Sequence, residues 1–384
     1  MDKKKAVVVG GGNGIGLAIA QNLVQQGYYV TIYDRVAPQI NISDQKMVEY
    51  VPCDLLYFDD QAFVRAAQDE DVSCLVITAG IGRVADLEYF HYAEIKRTMD
   101  INATALMEII RIFYDRIKNT KPFFCAVMGS IAGLVSSPMF TAYAASKAAV
   151  CRFTESLNIE LEASGTQNRI LNVSPGSIQG TSFNGGKTDL DQVSVLADEI
   201  CHHMMSGTTL FIPQYDEIFK GVIERYQADP HEYGMYSYQY KKESGRVVQE
   251  QKVRIGYLSG TFDLFHIGHL NLLKRAKAQC DYLIVGVHPN AKHKNKETFI
   301  SLEERKEIVA ACKYVDRVVD SCTEDSDAWS LYHYNRLFVG SDYKGTERFL
   351  RYEEYFKDKG VEIVYFPYTQ GTSSTQLRNA VAGE

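Results

Sequence analysis

Three groups of residues have the types and spacing that chemistry needs. The first is Tyr143-Ala144-Ala145-Ser146-Lys147, with Ser130 upstream in Met128-Gly129-Ser130. Residues four apart share a helix face, so the Lys147 ammonium is expected near the Tyr143 phenol, depressing a pKa that is ordinarily about 10. Such a tyrosine can donate a proton to a carbonyl oxygen as hydride arrives, and Ser130 can hydrogen-bond the same oxygen. A single Tyr/Lys pair is more often a solvated helix face, and among 25 tyrosines one arises easily by chance. The second group is Gly10-Gly11-Gly12-Asn13-Gly14-Ile15-Gly16, with Asp34 eighteen residues after the last glycine. Small residues let the backbone approach a pyrophosphate, a helix start supplies N–H donors, and an acid at the next strand end accepts ribose hydroxyls. The third is Gly260-Thr261-Phe262-Asp263-Leu264-Phe265-His266-Ile267-Gly268-His269. Two imidazoles three apart can both reach phosphate oxygens, although the same spacing suits a metal pair or a helix cap.

Regular elements must hold these groups. In the first half, apolar β-rich runs at 6–9, 28–33, 74–78, 123–128 and 170–173 alternate with helix-length segments, which predicts a parallel, doubly wound α/β sheet. Around 228–251 the pattern lapses into a Tyr-, Lys- and Glu-rich stretch. The expected division is therefore a first domain over 1–230, a linker over 231–251 and a smaller α/β domain over 252–384. The second domain has strand-like runs at 253–258, 282–287, 336–339 and 362–366.

The ordered motifs of the first half resemble the short-chain dehydrogenase/reductase family over roughly residues 5–225. Its glycine loop matches Gly10 to Gly16, with Val9 where the family often has threonine. Its adenine-contacting acid resembles Asp54 in Cys53-Asp54-Leu55, and its Asn-Ala-Gly turn appears as Thr78-Ala79-Gly80. The family's asparagine, serine, tyrosine and lysine match Asn102, Ser130, Tyr143 and Lys147, which the resemblance makes catalytic. Its Pro-Gly turn beside the nicotinamide matches Pro175-Gly176, with Thr181 after it. The resemblance implies a Rossmann-type sheet and a nicotinamide cofactor. That cofactor would touch Gly10, Gly12, Asn13, Gly14, Ile15, Gly16, Asp34, Arg35, Asp54, Leu55, Ala79, Gly80, Tyr143, Lys147, Pro175, Gly176 and Ile178. A carboxylate at Asp34 repels a ribose phosphate and favours NAD(H), while Arg35 beside it keeps NADP(H) open.

Residues 252–384 resemble the HxGH nucleotidyltransferases, a smaller Rossmann-like fold. Thr261-Phe262-Asp263 with Leu270 to Ala276 looks most like the glycerol-3-phosphate and choline-phosphate cytidylyltransferase branch. Ser301-Leu302-Glu303-Glu304-Arg305 begins a helix with a capping box and puts Arg305 where that branch keeps an arginine. Val339-Gly340-Ser341-Asp342-Tyr343 resembles its Gly-x-Asp-aromatic turn, and Lys294 and Lys296 stand in a loop like its lysine-bearing one. Gln370-Gly371-Thr372-Ser373-Ser374-Thr375 resembles its phosphate motif, with Tyr368 where the branch usually has arginine. By this resemblance Gly260, Thr261, Phe262, Asp263, His266, Gly268, His269, Lys294, Lys296, Asp342, Ser373, Ser374 and Thr375 hold CTP. His266, His269 and Arg305 would stabilise charge during transfer, and Mg²⁺ would screen the triphosphate.

Composition narrows the classes. A net charge of −7 argues against a nucleic-acid binder, which needs a broad basic face. The eight cysteines show no CxxC pair and no metal-ligand spacing, so no protein-held metal is expected and a reducing compartment is. The apolar run after Lys3-Lys4-Lys5 ends at Gly10, too short for an export signal, and no apolar stretch approaches a membrane span. A cytoplasmic protein without membrane or nucleic-acid partners is expected, and both resemblances imply a homo-oligomer.

Joined in one chain, the two resemblances imply a bifunctional CDP-alditol synthase that reduces a sugar phosphate and then activates the product with CTP. Ribulose 5-phosphate to ribitol 5-phosphate to CDP-ribitol, for a surface polysaccharide, is the leading expectation. CDP-glycerol or another CDP-alditol is the nearest competitor. A first domain that only senses the cofactor is the alternative from another class.

Overall fold

In the computed structural model, which describes residues 4–38, 45–57, 60–181, 183, 188–249, 253–290 and 297–367, the apolar run Lys5–Val9 forms strand β1 in the middle of a sheet. Its side chains alternate between two cores. Ala6 and Val8 pack with the helices Gly14–Gln25 and Leu190–Met205, while Val7 and Val9 pack with Ala105–Ile112 and Thr141–Ala163. A strand apolar on both faces needs helices on both sides, and this is why the sheet is parallel and doubly wound. The other strands are β2 (Tyr29–Asp34), β3 (Val48–Pro52), β4 (Val72–Ile77), β5 (Phe124–Met128), β6 (Ile170–Val173) and β7 (Leu210–Phe211). Their order is β3-β2-β1-β4-β5-β6-β7, all pairs parallel. The order reverses between β1 and β4, and a crevice opens there at the strands' C-terminal ends.

A second compact unit covers Lys252–Glu384, the first being Met1–Gln251. It contains β8 (Ile255–Gly260), β9 (Tyr282–Val287), β10 (Arg317–Asp320), β11 (Arg336–Gly340) and β12 (Glu362–Phe366) in the parallel order β10-β9-β8-β11-β12. Leu258, Phe262, Leu273, Leu283, Val285 and Phe338 centre its core. Its switch point lies beside β8, whose end carries Gly260.

Two expectations change. The stretch 231–251 is not a bare linker: Pro230–Glu243 is a helix capped by Asp229, whose Oδ1 accepts from the His231 and Glu232 amides at 2.9 Å. It belongs to the first unit, as does the extended segment after it. Strands β3, β7 and β10 add to those read from sequence. Among the described residues no helix is long and apolar enough to cross a membrane.

Candidate active sites

The crevice of the first unit is a cavity of about 550 Å³, reached by the ends of β1, β2, β4, β5 and β6. Gly10 (φ +88°) turns the chain out of β1, and a Cβ there would lie 2.5 Å from the Ala79 amide, so only glycine fits. Gly14, at φ +53°, has Thr181 no nearer than 3.6 Å. Asn13, Gly14, Ile15 and Gly16 line the cavity, and the helix Gly14–Gln25 begins without a cap from the Asn13 side chain. The Gly14 amide donates to Thr188 Oγ1 at 3.1 Å, and a helix start beside a cavity suits a pyrophosphate. At the far end Asp34 is held in place: Oδ2 accepts from the Gly12 amide at 2.8 Å and Oδ1 from the Val36 amide at 2.9 Å. Arg35, Asp54, Leu55, Ala79, Gly80, Pro175, Gly176 and Ile178 also line the cavity. These residues fit a dinucleotide. Gly12 does not line the wall; it acts through its bond to Asp34.

Ser130, Tyr143 and Lys147 meet in the same cavity. Burial pushes the Tyr143 phenol up to about 12, against a hydrogen bond with the Ser130 side chain that lowers it. The expected depression by Lys147 is absent. Lys147 Nζ turns to the Met128 carbonyl at 2.7 Å, and burial lowers the ammonium to about 8. Spacing put the two side chains on one face, but the carbonyl at the end of β5 is the better partner for a buried ammonium. Asn102 lies behind the wall, fully buried, in a single π-turn over Asp100–Thr104 that interrupts the helix. Its Oδ1 accepts from the Ile81 amide (2.8 Å), and its Nδ2 donates to the Ile81 carbonyl (2.8 Å) and Ser146 Oγ (2.9 Å). Ser146 in turn donates to the Tyr143 carbonyl at 2.7 Å. Asn102 therefore braces the tyrosine's turn of helix rather than facing the cavity.

In the second unit, His266 is the N-cap of the helix Ile267–Lys277. Its Nδ1 accepts from the Gly268 amide at 3.0 Å, and His269 Nδ1 accepts from the His266 amide at 3.4 Å. The two rings stack with centroids 4.0 Å apart. With both Nδ1 atoms accepting, each neutral ring carries its proton on Nε2, and burial lowers the His266 pKa and keeps that ring neutral. The helix-cap reading therefore holds, and the cap fixes the orientation of both rings.

The comparisons with known proteins agree with this division. A model described as short chain dehydrogenase matches residues 4–191, and one described as cytidylyltransferase-like matches 257–380. Over 128 residues the chain is 38% identical to glycerol-3-phosphate cytidylyltransferase of Bacillus subtilis (strain 168), covering 32% of this chain and 94% of that protein. Over 193 residues it is 30% identical to a probable NADP-dependent dehydrogenase of Haemophilus influenzae, covering 48% of this chain and 75% of that protein. The chain is a short-chain dehydrogenase/reductase fused to a cytidylyltransferase. The reductase fold is also that of a short chain dehydrogenase from Burkholderia cenocepacia solved in complex with NADP, at 22% identity and a TM-score of 0.51, covering 62% of this chain and 98% of that one. The protein is accordingly a bifunctional enzyme, a nicotinamide-dependent oxidoreductase and a nucleotidyltransferase.

Within the transferase domain several expected ligand contacts become supports. Arg305 is 1% exposed, and its guanidinium donates to the carbonyls of Ile300 (3.0 Å), Thr261 (2.5 Å), His288 (2.8 Å) and Pro289 (3.0 Å). A fork spent on four backbone oxygens ties three loops together and is not aimed at a phosphate. Asp263 is likewise buried, its carboxylate accepting from the Phe299 and Ile300 amides, and Phe262 sits in the core at φ +53°. Gly260 packs under the Phe262 ring, and Gly268 serves the His266 cap. Thr261 keeps a buried hydroxyl with no hydrogen-bond partner among the described residues. Asp342 is exposed in the turn after β11. Lys294, Lys296, Tyr368, Ser373, Ser374 and Thr375 lie outside the described residues. In the reductase domain, sequence reasoning missed Ser137, Phe140, Phe183, Lys241 and Arg246, all of which line the cavity.

Proposed function

We propose that the enzyme makes a CDP-alditol in two ordered steps, reducing a ketose phosphate to a polyol phosphate and then transferring CMP to it from CTP. The observation that carries the reading is the convergence of Ser130, Tyr143 and Lys147 on the dinucleotide-sized cavity, in a chain whose other domain is a cytidylyltransferase. That intact set favours turnover over mere cofactor sensing.

The bound cofactor supplies hydride to the carbonyl carbon. Tyr143 passes its phenolic proton to the carbonyl oxygen, and Ser130 hydrogen-bonds that oxygen. A phenol raised to about 12 stays protonated at neutral pH, the form a donor needs. Lys147 supplies positive charge toward the tyrosinate left behind. Asp34, pinned by two amides, would meet the phosphate of an NADP ribose, so NAD(H) is the proposed cofactor.

In the second step an oxygen of the polyol phosphate attacks the α-phosphorus of CTP, the bond to the bridging oxygen breaks and pyrophosphate leaves. The Nε2–H groups of His266 and His269 stabilise the charge that grows on the phosphate oxygens. Mg²⁺ is taken to arrive with the triphosphate and to screen its charge. CTP, rather than ATP, follows from the cytidylyltransferase likeness, and a homo-oligomer in the cytoplasm from both families.

Ribulose 5-phosphate, ribitol 5-phosphate and CDP-ribitol are the proposed substrate, intermediate and product, for surface polysaccharide synthesis. The Bacillus subtilis likeness favours CDP-glycerol as the second reading. Incubation with CTP, Mg²⁺, NADH or NADPH and single ketose phosphates decides by the mass of the nucleotide product. A CDP-pentitol supports the first reading, CDP-glycerol the second, and no reduced product with any ketose phosphate defeats both.

A further inference from the structure

The reductase cavity holds two cations that the chemistry above does not use. Lys241 comes from the end of the helix Pro230–Glu243, and its Nζ donates to Ser137 Oγ at 2.8 Å and Ser237 Oγ at 3.0 Å. Ser137 lies between Ser130 and Tyr143 in sequence and lines the cavity with them. Arg246 follows on the segment after that helix, which is tied down rather than loose. The Val248 amide donates to the Val84 carbonyl at 2.8 Å, and Arg83 Nη1 donates to the Val248 carbonyl at 2.6 Å. Gln249 exchanges hydrogen bonds with Asp86, Nε2 to Oδ2 at 3.0 Å and Oε1 from the amide at 3.3 Å. Arg83 itself is buried against Glu94 at 2.6 Å. The buried ion pair and the short ladder hold the segment that carries Arg246, whose Nε donates to Ser244 Oγ at 3.3 Å and whose guanidinium lies 5.5 Å from the Tyr240 ring centre, leaving its two terminal nitrogens for a ligand.

Neither cation forms an ion pair with a carboxylate among the described residues. The cavity's own acids, Asp34 and Asp54, sit at the end of β2 and just after β3, whereas Ser130 and Ser137 follow β5, four strand positions from β3. Burial lowers Lys241 to about 8, and the charge of Arg246 adds to the lowering. Two neighbouring cations with no counter-charge are unfavourable unless an anion enters between them.

We propose that Lys241 and Arg246 form the subsite that grips the phosphate of the sugar substrate, so that the reductase selects phosphorylated ketoses over free ones. The proposal rests on reading the first domain as a ketose phosphate reductase. Arg246 offers a planar fork and Lys241 a point charge, the pair of donors that a phosphate takes well. The carbonyl is then positioned at Tyr143 by a hold on the opposite end of the substrate. Ser137, already bonded to Lys241, orients the ammonium.

The test uses the full-length protein, wild type and the variants Lys241→Gln, Arg246→Gln and Arg246→Lys. Reduction of a ketose phosphate and of the same ketose without phosphate gives a ratio of kcat/KM values, and fluorescence titration gives NADH and NADPH affinity. Each glutamine variant is expected to lower that ratio about 10- to 100-fold, mainly through KM, with R246K partly restoring it and cofactor affinity unchanged. An unchanged ratio, or a matching loss of cofactor affinity, overturns the subsite. A wild-type enzyme that reduces no ketose phosphate defeats the reductase reading instead. The subsite is then judged by calorimetric titration with inorganic phosphate: one site lost in the Lys241→Gln/Arg246→Gln double variant upholds it, and identical isotherms sink it.

Discussion

Replacing Arg305 with methionine separates a structural clamp from a phosphate ligand. The side chain is 1% exposed and satisfies the carbonyls of Thr261, His288, Pro289 and Ile300. Methionine keeps much of the stem's packing but leaves four acceptors without their donor. A hydrogen bond from a charged donor contributes roughly 1.5–3 kcal/mol, and neighbouring bonds do not add fully, so about 3–5 kcal/mol of domain stability should be lost. For a domain of this size that lowers Tm by roughly 10–20 °C. Differential scanning calorimetry reads the shift, with NAD(P)H oxidation by the other domain as the control for a folded chain. Lysine at the same position keeps the charge but not the fork, and an intermediate loss is expected. A variant that melts like wild type while its KM for CTP rises would refute the clamp and return Arg305 to the phosphate site.

Three further outcomes follow from the geometry. His269→Ala should slow pyrophosphate release by roughly 10²- to 10³-fold while NAD(P)H oxidation persists, measured by coupled phosphate assay and absorbance. Asp34→Ser should shift the ratio of kcat/KM for NADH over NADPH toward NADPH by roughly 10- to 100-fold, the effect of one or two charged contacts; a wild type that already prefers NADPH contradicts the role given to Asp34. Lys147, lowered to about 8, is protonated below that pH and neutral above it, whereas Tyr143 at about 12 keeps its proton throughout. Reduction of an unphosphorylated ketose should therefore be level below about pH 7 and fall as pH rises through 8, and a profile level to pH 10 would show that the Lys147 charge does not assist the step. The unphosphorylated substrate keeps Lys241, also lowered to about 8, out of that profile.

The sequence was most legible where a local pattern decides the structure. The runs that became β1, β4, β5, β6, β8 and β9 are largely buried on both faces, so apolar residues fill most of each run. β3 lies at a sheet edge with no fully buried residue, β7 is two residues long, and β10 begins with Arg317 and ends with Asp320; none carries that signature. The glycine loop and the Tyr143/Lys147 pair were readable from spacing. Where a flexible side chain points was not: Lys147 reaches back to the Met128 carbonyl, and Arg305 turns inward to four carbonyls. Lys241 meets Ser137 across 104 residues of chain, and a Tyr- and Lys-rich run offers no local sign of that contact.

The central claim is that the product of one domain is the substrate of the other. Tyr143→Phe tests it most directly, with CTP and Mg²⁺ present and the nucleotide product followed by chromatography. Given ketose phosphate and NADH, wild type should release pyrophosphate and form the CDP-alditol, and the variant should form none; given preformed polyol phosphate, the variant should match wild type. A variant that makes the same nucleotide from the ketose phosphate, or fails with the polyol phosphate while still folded, would contradict the ordered scheme.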